Sequence, residues 1–130
     1  MKSQNLEWED AKDVKQKITE LLTTLDMPHI KIENIHCFRT TGSKSRAYAR
    51  IWSMPKIFQR ALNLEPNYVI EVLSKYYDRL SEDAKSKVLI HELLHIPQNF
   101  SGALVPHKTR SRHLGKTANI LFDLFMSRKK

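Results

Sequence analysis

Residues 91–95 read His-Glu-Leu-Leu-His, two imidazoles four positions apart with a carboxylate directly after the first. On a helix, residues i and i+4 lie one turn apart on the same face, so both rings can reach one tetrahedral ion. Glu92 then stands about 100° around the axis from His91, where its carboxylate reaches a water on the ion without ligating it. With Zn2+ as that ion, the pKa of the water falls toward neutrality, Glu92 takes its proton and later passes it to the leaving amine, and the metal polarises the scissile carbonyl. The pattern predicts a zinc metallopeptidase with Glu92 as general base and a peptide or protein as substrate.

A bare pentad also arises by accident, so its surroundings matter. Val88, Leu89, Ile90, Leu93 and Leu94 crowd the polar trio, which predicts a largely buried helix on which two His and a Glu are costly without a common partner. Catalytic zinc takes a third protein ligand and leaves the fourth position to water. No Glu occurs after Glu92, so His107, His113 and Asp123 are the downstream candidates. His107 follows His95 by twelve residues, past Gly102 and Pro106, a length that lets a loop turn back over the metal and favours it over His113. His29 and His36 fall on an expected strand and read as packing or solvent-facing residues. For an oxyanion partner, His113, Arg110 and Arg112 are candidates, with Tyr76 and Tyr77 more consistent with core.

The elements that must hold the trio are legible as periodicities. Val14, Ile18, Leu21, Leu22 and Leu25 give one apolar face to a helix over 7–25, ended by Met27-Pro28. HIKIENIHCFRT predicts a strand with a phase slip at Ile35, and RAYARIW alternates as a second strand that the turn through Gly42 would pair with the first as a hairpin. Pro55 opens a short helix with Ile57, Phe58, Ala61 and Leu62 expected inward, and YVIEVL at 68–73 predicts a third strand. Ser81 caps the helix of the pentad, Glu82 and Asp83 suit its dipole, and Pro97 stops it after His95. A loop over 96–112 and a final helix over 116–127, with Ala118, Leu121, Phe122 and Phe125 on one face, complete the chain. The expectation is one small α+β domain over residues 1–130: a sheet of about three strands, antiparallel or mixed, with an N-terminal helix, the pentad helix and a C-terminal helix.

One cysteine, Cys37, in 130 residues excludes an internal disulfide framework and reads as a small buried hydrophobe. The polar start and the lack of any run near the length of a membrane span point to a cytoplasmic protein with no membrane partner. Residues 1–92 carry 15 Lys+Arg against 13 Asp+Glu, a net +2, whereas 93–130 carry 7 against Asp123 alone, a net +6. Lys108, Arg110, Arg112, Lys116, Arg128, Lys129 and Lys130 make that segment a candidate for nucleic acid, although a solvated basic face is the default and no nucleic-acid fold signature accompanies it.

The stretch VLIHELLHIPQNFSGALVPH resembles the metallopeptidase domain found in phage and archaeal proteins, in which a His-Glu-Leu-Leu-His-Ile-Pro helix is followed by a Phe-Ser-Gly loop and a third His. The likeness extends over about residues 46–113 and, more distantly, to the SprT-like zincins, whose four-Cys ribbon this chain lacks. It implies a minimal zincin fold, His91, His95 and His107 as zinc ligands, and Glu92 as the base. The alternative from another class is a DNA- or protein-binding module that holds zinc with little hydrolytic activity. The want of a Cys near the pentad to close the metal's fourth position favours catalysis.

Overall fold

A computed structural model describes residues 5–106, 108–109 and 112–129, without side chains between 107 and 113. It is an α+β fold. The elements run β1 (Glu7–Asp10), α1 (Lys12–Thr24), a 3-10 turn (Ile32–Asn34), β2 (Ile35–Thr41), β3 (Ala49–Ser53), α2 (Lys56–Leu62), β4 (Tyr68–Leu73), α3 (Ser74–Tyr77), α4 (Glu82–Leu93), β5 (Lys108–Thr109), β6 (Arg112–His113) and α5 (Leu114–Lys129).

Four strands form a mixed sheet in the order β1-β2-β4-β3, with β2 and β4 parallel and both outer pairs antiparallel. β4 takes the central place for a reason visible in its composition. All its residues but Val69 are buried, as befits a strand covered on both faces. Tyr68, Ile70 and Val72 join Ile35 and Cys37 of β2 in one core with Val14, Ile18 and Leu21 of α1, Leu89, Ile90 and Leu93 of α4, and Leu114, Ala118 and Phe125 of α5. Among the described residues, no helix is long and apolar enough to cross a membrane.

The structure departs from the sequence-based expectations in four places. Residues 7–10 form a strand against β2, and the first helix starts at Lys12. Ile30 and Ile32 precede β2, and the phase slip at Ile35 marks the start of that strand after a 3-10 turn. β2 and β3 do not form a hairpin, because β4 lies between them. The connection over residues 42–48 is long enough to cross the roughly 10 Å that an intervening strand occupies. The sheet thus has four strands, in keeping with the small mixed sheet of about three that the sequence led one to expect. Lastly, α2 buries none of its residues: Ile57 is 75% and Phe58 54% exposed. Its ends are set locally, by Pro55 at the start and by Asn63 in the left-handed region at φ 54°, whose N–H bonds back to Arg60 and Gln59.

Candidate active site

α4 begins as its sequence demands: the Ser81 hydroxyl accepts the N–H of Ala84 at 3.1 Å, and Glu82 and Asp83 lie in the first turn. It ends at Leu93, and the chain tightens through Leu94 and His95, whose N–H bonds to Glu92 rather than to His91. His91, Glu92 and His95 each offer a ligand atom, and these atoms all lie within 4.8 Å of one another. The two imidazole rings sit edge to face, with centroids 5.4 Å apart. Zinc–nitrogen bonds of about 2.0–2.1 Å fit that spacing, so this group is able to hold a metal ion.

β4 and the loop after α4 orient His95. Tyr68, fully buried in β4, accepts the N–H of Gly102 at 2.8 Å and donates to the carbonyl of Ala103 at 2.9 Å, and its ring meets Phe100 edge-on at 5.2 Å. Glycine is favoured there by its φ of +95°, which disfavours any side chain; a Cβ would also displace the Gln59 amide, 2.1 Å away. Thus anchored, the loop returns to the helix end, where Val105 donates to the His95 carbonyl at 2.7 Å and its own carbonyl lies 2.5 Å from His95 Nδ1. A carbonyl has no proton to give, so Nδ1 carries one and the neutral ring presents Nε2 as its lone-pair nitrogen.

Glu92 is 9% exposed, and burial alone pushes its carboxyl up to about 7. Together with His91 it opens onto a cleft of about 580 Å³ between β3, α4 and α5, whose walls include Tyr48, Ala84, Val88 and Ala118. The site is therefore a poorly solvated carboxylate and one imidazole, His91, facing an accessible groove, with the buried His95 imidazole beside them.

The other candidates named from the sequence divide clearly. Tyr77 is buried in the core, as expected of an aromatic residue at that spacing. His36 is exposed and hydrogen-bonded to Asn67 at 2.8 Å, His29 lies half-buried before β2, and Asp123 faces solvent on α5. His107 and Arg110 lie outside the described residues, as do the side chains of Lys108, Arg112 and His113. The backbone of β5 and β6 pairs Lys108 with His113, which brings His113 beside the chain segment that His107 immediately precedes. Tyr48 and Asn119 line the same cleft and were not singled out from the sequence, since neither sits at a recognisable spacing from the pentad.

The fold is thus an α+β protein in which α4 and the turn after it gather His91, Glu92 and His95 into a group able to hold a metal ion, with His91 and Glu92 on a cleft. The chain belongs to the family described as "Putative phage metallopeptidase", whose model matches residues 6–118. That assignment bears out the phage-type resemblance, implies a metal ion, and does not extend to the SprT-like proteins. No curated protein and no solved structure gives a match.

Proposed function

We propose that this chain is a zinc-dependent endopeptidase in which His91, His95 and His107 hold the ion and Glu92 handles the proton. The observation that carries this is the carboxylate of Glu92, kept largely out of water beside two imidazoles at the edge of a cleft. Two imidazoles suit zinc, and the tautomer that Val105 enforces on His95 points the required nitrogen outward. Val105 is fastened to the helix end, and two extended residues reach about 7 Å, which supports His107 as the third ligand. When bound, zinc acts as a Lewis acid on the scissile carbonyl and makes a water acidic near neutrality.

Glu92 supplies the base. Positive charge beside it favours its carboxylate form, which accepts a proton from the attacking water, and its burial makes the protonated form a ready donor to the leaving amine. β3 is an edge strand of the sheet, and Ala49 at its start lines the cleft next to His91 and Glu92. An extended peptide pairing with β3 through main-chain hydrogen bonds would pass over the site. Tyr48, just before β3 and on the cleft, joins His113, Arg110 and Arg112 as a candidate donor to the developing oxyanion.

The test is zinc content per chain by elemental analysis, for the native protein beside His91→Ala, His95→Ala, His107→Ala and His113→Ala. About one zinc, lost in the first three variants and kept in the fourth, together with cleavage of a peptide library that disappears in Glu92→Gln, is the expected result. No zinc in the native chain after equilibration with excess metal would overturn it.

A further inference from the structure

The cleft is far larger than the metal group needs. At about 580 Å³ it falls within the roughly 300–1,000 Å³ of sites that enclose a ligand. Its wall on α4 continues the face that bears the histidines: Ala84, Val88 and His91 stand at i, i+4 and i+7, the spacing of one helix stripe. Ala84 and Val88 are only half-buried, as is Leu80 at the same end; Leu80 and Val88 pack against the core with one side and leave the other on the groove. Lys87, also on the lining, has its ammonium 5.7 Å from the Phe122 ring of α5.

Opposite stands the start of α5, where nothing among the described residues requires Gly115 to be glycine. A Cβ built on it meets none of them within 4 Å, and its φ lies outside the left-handed region. Alanine would suit a helix better by roughly 0.5–1 kcal/mol. What the glycine provides is room at the mouth of the groove, and Ala118 and Asn119 lie one turn further along the same wall.

We propose that this groove takes one large apolar side chain of the substrate, leucine- or phenylalanine-sized, from a residue adjoining the cleaved bond, and that Gly115 sets the size admitted. The inference rests on the peptidase function for the identity of the occupant, an extended peptide lying along β3. Apolar walls select hydrocarbon, and a lysine ammonium would lose its hydration among them.

The experiment is a 15N NMR titration of the full chain, zinc-free and zinc-loaded, with N-acetyl-leucine amide and N-acetyl-lysine amide. The leucine amide is expected to shift the backbone amides of Ala84, Val88 and Ala118 in both forms, and the lysine amide to leave them in place. Gly115→Leu, whose side chain would reach into the groove, is expected to abolish those shifts while the rest of the amide spectrum stays native-like. On peptides varied at one position, the native enzyme should prefer Leu or Phe over Lys by at least tenfold in kcat/KM, and Gly115→Leu should turn the preference toward Ala. Shifts in the zinc-free chain with no cleavage of any peptide would sustain the groove while the peptidase function falls. An equal response to both amides, or one that survives Gly115→Leu, would overturn the groove even in an active peptidase.

Discussion

Glu71 and Glu92 are both buried carboxylates, 3% and 9% exposed, and they differ in what surrounds them. Glu71, in the middle of β4, accepts from Arg50 Nε and Trp52 Nε1 at 2.7 Å each and from Thr40 Oγ1 at 2.5 Å. Burial raises its carboxyl, but the three hydrogen bonds and the Arg50 charge outweigh that and hold it below the usual carboxylate range. Glu92 lies at the end of α4 with burial as the one cause of its shift, and it is pushed up to about 7. A carboxylate supplied with donors stabilises a sheet. One left without donors among the described residues sits at an energetic disadvantage that a bound cation would relieve, a feature common at functional sites.

The largest expected effect separates the two by activity. Glu92→Gln should lower kcat/KM on any peptide the chain cuts by roughly 10²–10⁴-fold with zinc content unchanged. Glu71→Gln should leave turnover per folded, zinc-loaded molecule as it was. Equal losses would erase the distinction.

The pH dependence of stability follows with opposite signs. Glu92 has a folded pKa above its unfolded value, so the metal-free chain carries no penalty below about pH 4.5 and a growing one as pH rises through 7, reaching about 3 kcal/mol. Denaturant unfolding of the metal-free chain between pH 5 and 8 should show that fall, and Glu92→Gln should remove its part of it. Glu71 has a lowered folded pKa and contributes stability above its ordinary value that is lost as pH falls through the lowered one, so acidification in Glu71→Gln should cost less than in the native chain.

At neutral pH, Glu71→Gln should destabilise by about 2 kcal/mol, since charged hydrogen bonds in a buried place are weakened rather than removed. Unfolding midpoints in urea measure it. Smaller again is the effect of Tyr68→Phe, three residues earlier on β4 and facing the opposite side. Loss of its two hydrogen bonds to the 102–103 loop should cost about 1 kcal/mol and weaken zinc binding about tenfold by freeing the chain that holds His95. Competition with a chelating indicator dye reads the affinity.

Much of the frame was legible from local pattern. The acid-capped start and proline stop of α4, the one-faced periodicity of α1, and YVIEVL as a strand all depend on interactions within a few residues. The inward face assigned to α2 failed because periodicity reports which residues share a face and not whether anything covers it. The hairpin failed because a strand with both faces buried, β4, displaced the sequence neighbour from its place beside β2. At the site, the pentad was visible as spacing, whereas Tyr48, Asn119 and Gly115 were not, since they come to the cleft from distant parts of the chain.

The sequence by itself determined the chemistry on offer, because the spacing of a helix and the turn that ends it is enough to bring two imidazoles and a carboxylate together. Only the tertiary structure decided how that chemistry is tuned. It withdrew water from Glu92, fixed the tautomer of His95 through a loop pinned by Tyr68, and opened a groove between α4 and α5. Desolvation, long-range hydrogen bonds and cavities are properties of residues far apart in the chain and have no local signature for spacing to record.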